Sequence, residues 1–324
     1  MVRPVWTLHD ESMTETKAVV PRILWSGVPV AVRAGVEERL GARVRSASTQ
    51  PGGFSRGMAS RLVLVDGRTV FAKAIPTQER FAHRYRVEAE TAAQLPPQIA
   101  APALRFTLET DGWLVLVFDD IAGRHPRFDQ PAELTAVLAV IEDLGRTLTP
   151  NPLAGVPTLA TEYRPKLSSW RAFAEDGPPG DMDGWARRNL DRLAILESRW
   201  EAAAMGETLL HTDLRADNML LRPDGTVMVV DWSWPCVGAA WVDLVFLAPA
   251  LTQHGVDPEP ILASHPLTRD IDPAAITAMV CALAGYWTRE SHRSPGAQSP
   301  ALRRHRIEAG RAAIVWLQRR VGWR

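Results

Sequence analysis

The sequence predicts an α+β chain of two lobes: a small antiparallel sheet with its helices over residues 26–121 and a larger, mainly helical lobe over 122–324. Two observations carry this. Residues 59–74 alternate in polarity about Asp66-Gly67, as the two strands of a half-buried hairpin do. From Pro131 the apolar residues Leu134, Val137, Leu138, Ile141 and Leu144 change to helical spacing, so the boundary between lobes falls near residue 122. Residues 1–25 show no clear period and read as a loose arm, and there is no internal repeat or low-complexity segment.

In chain order, Val30 to Leu40 reads as a short helix and Val44 to Gln50 as a strand, followed by the glycine-rich PGGFSRG of residues 51–57. Ala59, Arg61, Val63 and Val65 then lie on one side of a strand, with Ser60, Leu62 and Leu64 on the other. Asp66-Gly67 predicts a two-residue turn with positive φ at both positions, and Thr69 to Ala74 is the return strand, with Thr69, Phe71 and Lys73 on one face. Arg80 to Leu95 is a helix stopped by Pro96-Pro97, where the pyrrolidine rings exclude continuation. Leu114 to Phe118 reads as a buried strand. A second large-lobe helix is expected over Trp185 to Ala204, and a short hairpin over Thr208 to Val230 around Pro223-Asp224-Gly225; the remainder reads as helices.

The chain of 324 residues carries 37 Lys plus Arg against 37 Asp plus Glu, so no overall field draws it to nucleic acid or to an anionic membrane. No protein partner is implied either. Cys236 and Cys281 stand far apart without CxxC spacing, which argues against a disulfide scaffold and against a structural zinc site. The first residues lack the basic-then-apolar order of a signal peptide, and even WVDLVFLAPAL is interrupted by Asp243; the expectation is a cytoplasmic enzyme. Lysine occurs only at positions 17, 73 and 166, so a lysine inside a strand stands out.

The most informative stretch is HTDLRADNMLLRPDGTVMVVDW, residues 211–232. It places His-x-Asp-x4-Asn on a loop and a second aspartate at the end of the hairpin that follows. Phosphoryl transfer needs a carboxylate to orient the attacking hydroxyl and accept its proton, and hard oxygen ligands for the ions that neutralise the phosphates. Asp213 fits the first role, and Asn218 and Asp231 the second. His211 is expected to be structural, its ring bonded to backbone near Asp231.

On these residues the chain resembles the aminoglycoside phosphotransferase family, relatives of the protein kinases, whose catalytic loop has the form HxDxxxxN and whose metal aspartate ends a short hairpin. The resemblance covers about residues 30–250, with the motifs in family order. It implies a bilobal protein-kinase-like fold with five antiparallel strands and one long helix in the small lobe, ATP as phosphate donor with GTP not excluded, and Mg²⁺. It further implies that Lys73 in VFAKA holds the α- and β-phosphates. The partner of Lys73 is a glutamate on the next helix; Glu88 and Glu90 are both available, and the family spacing favours Glu88. Gly52, Gly53 and Ser55 stand where the family's phosphate-covering loop belongs, although the run departs from GxGxxG. Phe118 would line the back of the nucleotide pocket, Asp120 and Ile121 would offer backbone to the adenine, and Asp243 would brace the catalytic loop.

A protein acceptor does not fit. Only eleven residues separate Asp231 from Asp243, there is no APE sequence, and Thr212 stands where an arginine would read a phosphorylated segment. The acceptor is therefore expected to be a small hydroxylated molecule. Glu175, Asp176, Asp181 and Asp183, beside Trp185, lie where the family builds its substrate lid and would suit amines, although such a Gly/Pro-rich acidic stretch is also what a solvated loop looks like. The arginine-rich last residues are unlike an acidic aminoglycoside cradle. The leading reading is an aminoglycoside phosphotransferase-like antibiotic kinase, with a metabolic kinase of a sugar or amino alcohol as the alternative and a silent nucleotide-binding module as a remote one; the presence of Lys73, Asp213, Asn218 and Asp231 together argues against the last.

Overall fold

The computed structural model describes residues 22–50, 57–292 and 300–324. Its small lobe contains α1 (Val30–Leu40), β1 (Val44–Thr49), β2 (Met58–Leu64), β3 (Thr69–Pro76), α2 (Ala82–Gln94), β4 (Leu104–Thr110) and β5 (Trp113–Asp119). The five strands form one antiparallel sheet in the order β1-β2-β3-β5-β4. Because side chains alternate across a strand, the sheet has two apolar faces. Leu62, Leu64, Val70, Ala72, Ala74, Val115 and Val117 meet Val32, Val36 and Leu40 of α1. Ile75, Leu114, Leu116 and Phe118 meet Ala82, Tyr85 and Ala89 of α2. Lys73 lies between Phe71 and Ile75 on the second face, so the lysine is presented to α2.

The two hairpin turns differ from expectation. At Asp66-Gly67 only Gly67 has positive φ, 89°, while Asp66 accepts from the Arg68 N–H through its carboxylate. Leu64 N–H donates to Arg68 O and Gly67 N–H to Leu64 O, which makes a longer loop than the two-residue turn. Asp111 and Gly112, joining β4 to β5, are the pair with positive φ at both positions, 48° and 71°.

The large lobe holds α3 (Pro131–Thr147), α4 (Leu159–Tyr163), α5 (Ser169–Asp176), α6 (Gly184–Arg188), α7 (Leu190–Glu197), α8 (Trp200–Ala203), β6 (Thr208–Leu210), β7 (Met219–Leu221), β8 (Val227–Val229), β9 (Cys236–Gly238), α9 (Val242–Gln253), α10 (Pro258–Ser264), α11 (Pro273–Ser291) and α12 (Pro300–Val321). Trp170 and Trp200, both fully buried, anchor one continuous core through which α11 runs, packed on α5, α7, α8, α9 and α12. Two expectations are corrected. The apolar period over 185–204 does not make one helix: the chain breaks at Asn189, which is both the C-cap of α6 and the N-cap of α7, and again at Ser198. Thr208 to Val230 is not one hairpin either, since β7 pairs with β8 while β6 pairs with β9 from beyond it.

The chain enters the large lobe through Gly123. Arg124 and Leu221 exchange both backbone hydrogen bonds there, and a Cβ on Gly123 would lie 2.8 Å from Leu221 O, so only glycine lets the connection approach β7 this closely. Among the described residues no helix is long and apolar enough to cross a membrane.

Candidate active site

Two short antiparallel pairs carry the polar residues of the 211–232 stretch. The chain leaves β6 into a loop, makes a single 3₁₀ turn over Ala216–Asn218, and folds back through β7 and β8 to Asp231. Asp243, buried at the start of α9, accepts from the His211 N–H and the Thr212 N–H, each at 2.8 Å. A carboxylate taking two backbone donors fixes the loop's path. Thr212 has φ 61° and Asp231 has φ 67°, both in the left-handed region that costs non-glycine residues about 1–3 kcal/mol. At Thr212 the surrounding bonds hold that conformation: besides Asp243, its Oγ1 donates to Trp234 O at 2.6 Å and meets the Tyr163 hydroxyl at 2.8 Å.

His211 joins the loop to the β8 end. Its Nε2 pairs with Val230 O at 3.0 Å and its Nδ1 accepts from the Asp213 N–H at 3.3 Å; burial pulls its pKa down to about 4, so the ring is neutral. Val230 N–H in turn donates to Asn218 O at 2.9 Å, which brings Asn218 beside Asp231. The Asn218 amide Nδ2 donates to Asp213 O at 2.8 Å and to Asp213 Oδ2 at 3.0 Å, leaving its amide oxygen as the group that can ligate.

Lys73 Nζ lies 2.7 Å from both Glu88 oxygens and 3.0 Å from Asp231 Oδ1, so β3, α2 and the end of β8 converge on one ammonium. Glu90 is exposed on the other side of α2. Burial opposes the charge on Lys73, but Asp231 and Glu88 outweigh it and hold the ammonium above its ordinary value. Burial would likewise raise Asp231, yet Lys73 and the Ser233 hydroxyl bonded to Oδ1 hold that carboxyl well below the usual range. Asp213 goes the other way. Burial pushes it up to about 6 against the pull of Arg215, whose Nε is 3.6 Å from Asp213 Oδ1 and 3.2 Å from Asp217.

Around this centre, Phe118 is buried on the Lys73 face of the sheet. The Asp120 carboxylate accepts from Arg61 Nε at 2.7 Å, and Ile121 O from Arg61 Nη2 at 3.1 Å, so β2 fixes the segment that joins the lobes. Gly52, Gly53 and Ser55 lie outside the described residues. Arg22, not singled out by sequence pattern, is partly buried near Tyr85, Asp231 and Asp217; burial lowers its pKa, and these acidic groups oppose that lowering.

In the acidic segment only Trp185 is corrected. Asp183 accepts from the Trp185 and Ala186 N–H groups as the N-cap of α6. Trp185 is a core residue, its indole donating to Trp323 O and stacked on the Trp323 ring. Packing leaves Trp185 no surface for a substrate, whereas Asp183 stays exposed and its cap engages Oδ1 alone. Glu175 and Asp176 are exposed at the end of α5, and Asp181 meets His292 at 3.1 Å. Arg306 and Arg320 near the C-terminus pair with Glu290 and Glu259. Ser233, Arg215, Tyr163 and Trp234 also touch the 211–218 loop or Asp231, and sequence pattern did not single them out; for the first two the only signal was adjacency to Asp231 and Asp213, and for Tyr163 there was none.

The model of the phosphotransferase enzyme family matches residues 53–279. Solved structures share the architecture at low identity. A thermostable mutant of aminoglycoside phosphotransferase APH(4)-Ia, in a ternary complex with AMP-PNP and hygromycin B, superposes with a TM-score of 0.56 at 14% identity, covering 90% of this chain and 96% of that one. The GDP complex of an aminoglycoside 2'-phosphotransferase-IIIa mutant gives 0.61 at 14% identity, covering 90% and 97%. Choline kinase LicA from Streptococcus pneumoniae gives 0.57 at 13% identity, covering 89% and 98%. No curated protein matches the sequence.

Proposed function

Because this chain belongs to the phosphotransferase enzyme family, we propose that it moves the γ-phosphoryl group of ATP, with Mg²⁺, to a hydroxyl of a small molecule. The observation that carries this reading is the convergence of Lys73, Glu88, Asp231, Asn218 and Asp213 from both lobes on one cleft. Asp213 orients the acceptor hydroxyl and takes its proton as the new O–P bond forms and the bond to ADP breaks. Its Oδ2 is held by Asn218, so the carboxylate is oriented before the acceptor arrives. Lys73, steadied by Glu88, supports the α- and β-phosphates and keeps the donor in line.

The donor set fits magnesium: one carboxylate and one amide oxygen, both hard ligands, are what a cation shared with phosphates needs from a protein. Asn218 and Asp231 would hold it, and it would supply charge neutralisation on the transferring group. Lys73 sits on Asp231 Oδ1 at 3.0 Å and would give way at least partly when the cation binds.

The acceptor class is drawn from the family and from the short Asp231-to-Asp243 span. Within that class an aminoglycoside-type antibiotic and a sugar or amino alcohol are the acceptors to compare, and Glu175, Asp176, Asp181 and Asp183 are all exposed and leave negative charge open to an amine-bearing one. The test is an ADP-release screen of the purified protein with Mg·ATP or Mg·GTP against aminoglycosides, other hydroxylated antibiotics, sugars and choline-like alcohols. One acceptor should raise ADP release well above the water background, and Asp213→Ala should reduce that turnover by about 10²- to 10⁴-fold with nucleotide affinity little changed. Turnover by the variant equal to the parent's would remove Asp213 from the mechanism.

A further inference from the structure

One face of α2 carries more than the partner of Lys73. Arg84 lies four residues before Glu88, so the two side chains leave the helix on the same side, one turn apart. Among the described residues the Arg84 side chain finds its hydrogen-bond and ring partners in the large lobe. Its Nη2 donates to Glu162 Oε1 at 2.6 Å, and its guanidinium lies over the Trp234 ring at 3.4 Å from the centroid. Glu162 belongs to α4 and Trp234 to the segment after Asp231, so both partners are in the large lobe.

Those partners are tied to the catalytic loop. Trp234 O accepts from Thr212 Oγ1, and Tyr163, next to Glu162, meets the same hydroxyl. Lys166 completes the cluster, its Nζ 4.4 Å from the centroids of both Trp234 and Tyr163 and 3.4 Å from Glu162 Oε1. Burial would raise the Glu162 carboxyl, but Arg84 and Lys166 outweigh it and keep the group ionised. Arg84 and Glu162 are each only about one-fifth exposed, so the pair is screened less than a surface ion pair.

We infer that Arg84 is a positioning residue: by clasping Glu162 and Trp234 it holds the small lobe closed on the catalytic loop and sets α2 at the depth where Glu88 reaches Lys73. A planar guanidinium suits both partners at once, since its edge bonds a carboxylate while its face stacks on indole. A rigid helix joins the clasp to the Lys73–Glu88 pair, so opening the clasp withdraws the glutamate from the lysine. Lobe closure and phosphate positioning are then one event. Arg84 touches neither nucleotide nor acceptor in this scheme.

The catalytic part of the inference rests on the proposed kinase activity, but its structural part does not. Spin labels at Val65→Cys on the β2–β3 turn and Gln253→Cys at the end of α9 report the separation of the lobes; both sites are exposed, and the native cysteines are buried. The parent should give one narrow distance distribution. Arg84→Ala should lengthen or broaden it, and the exchange Arg84→Glu with Glu162→Arg should restore at least part of the closed population.

In steady-state release of ADP from Mg·ATP with water as acceptor, Arg84→Ala should lower kcat by about ten-fold or more, with a much smaller change in KM for ATP, as displaced groups cost rate more than affinity. An Arg84→Ala distance distribution identical to the parent's overturns the clasp. A lengthened distribution with kcat unchanged overturns the positioning role. A parent that binds no Mg·ATP by calorimetry, with the distances behaving as stated, sinks the kinase reading and leaves the clasp.

Discussion

Asp213 and Asp231 are two carboxylates of one cleft that their surroundings drive apart. Burial pushes Asp213 up to about 6, while Lys73 and Ser233 hold Asp231 well down, so one is poised to exchange a proton and the other keeps its charge. A general base works only when ionised. The rate should therefore fall as pH drops through about 6, by about ten-fold per unit below it, and the residual activity of Asp213→Asn should lack that limb. An acid limb centred below pH 5, or one retained in the variant, would assign the ionisation elsewhere. Lys73 makes a separate demand. The chain uses arginine almost everywhere else for positive charge, yet here one compact ammonium reaches two carboxylates within 3.0 Å. Lys73→Arg keeps the charge and loses that geometry, so turnover should drop by about ten-fold or more, at least about 1.4 kcal/mol of transition-state stabilisation, with the melting temperature close to the parent's. Unchanged kinetics would reduce Lys73 to a strand lysine.

At the scale of elements, the large-lobe core depends on a tertiary cap. The Glu197 carboxylate at the end of α7 is fully buried and accepts from the Trp170 and Arg171 N–H groups, the first turn of α5, at 3.0 Å each. Those donors have no partner within their own helix, and α7 supplies one. Burial nonetheless outweighs them and pushes the Glu197 carboxyl up to about 7. The unfolded chain ionises near 4.5, so between those values the native state binds the extra proton and stability falls as pH rises. The contribution is fully present below about pH 4.5 and lost as pH passes about 7, a change of about 3 kcal/mol. Glutamine does not titrate. The advantage of the parent over Glu197→Gln in urea unfolding should therefore shrink as pH rises from 4.5 to about 7.5, and a difference constant with pH would overturn this account.

Across the whole molecule, the cleft is held shut by charge contacts that span the lobes: Lys73 to Asp231 and Arg84 to Glu162. A ligand that binds between two lobes stabilises both, by about 2.7 kcal/mol when present at a hundred times its dissociation constant. Mg·ATP should therefore raise the melting temperature by a few degrees. ATP without the cation should do so much less, because the phosphates then face Asp213, Asp217 and Asp231 unneutralised. Asp231→Ala should abolish the difference between the two conditions in a thermal-shift titration. Equal shifts in the parent with and without Mg²⁺ would count against Asp231 as a metal ligand.

Period and motif order were legible in the sequence because they are local. Alternation along β2 and β3, helical spacing in α1 and α3, and the HxDxxxxN run each follow from residues a few positions apart, whose side chains must share a face or a loop. What local period could not fix was partnership. The 185–204 run satisfies helical spacing, yet Asn189 and Ser198 divide it, since three short helices pack where one straight helix would not. The segment Thr208 to Val230 contains turn signals for one hairpin, but β6 finds its partner in β9 because pairing is decided by which strands the core brings together. Trp185 reads as part of a binding surface and is instead core, a distinction set by Trp323 packing above it and not by its neighbours in the chain. The same holds for Arg84. Its i, i+4 relation to Glu88 could be read from the sequence, but Glu162 and Trp234 lie 78 and 150 positions further on, and only the tertiary structure brings a carboxylate and an indole to one guanidinium.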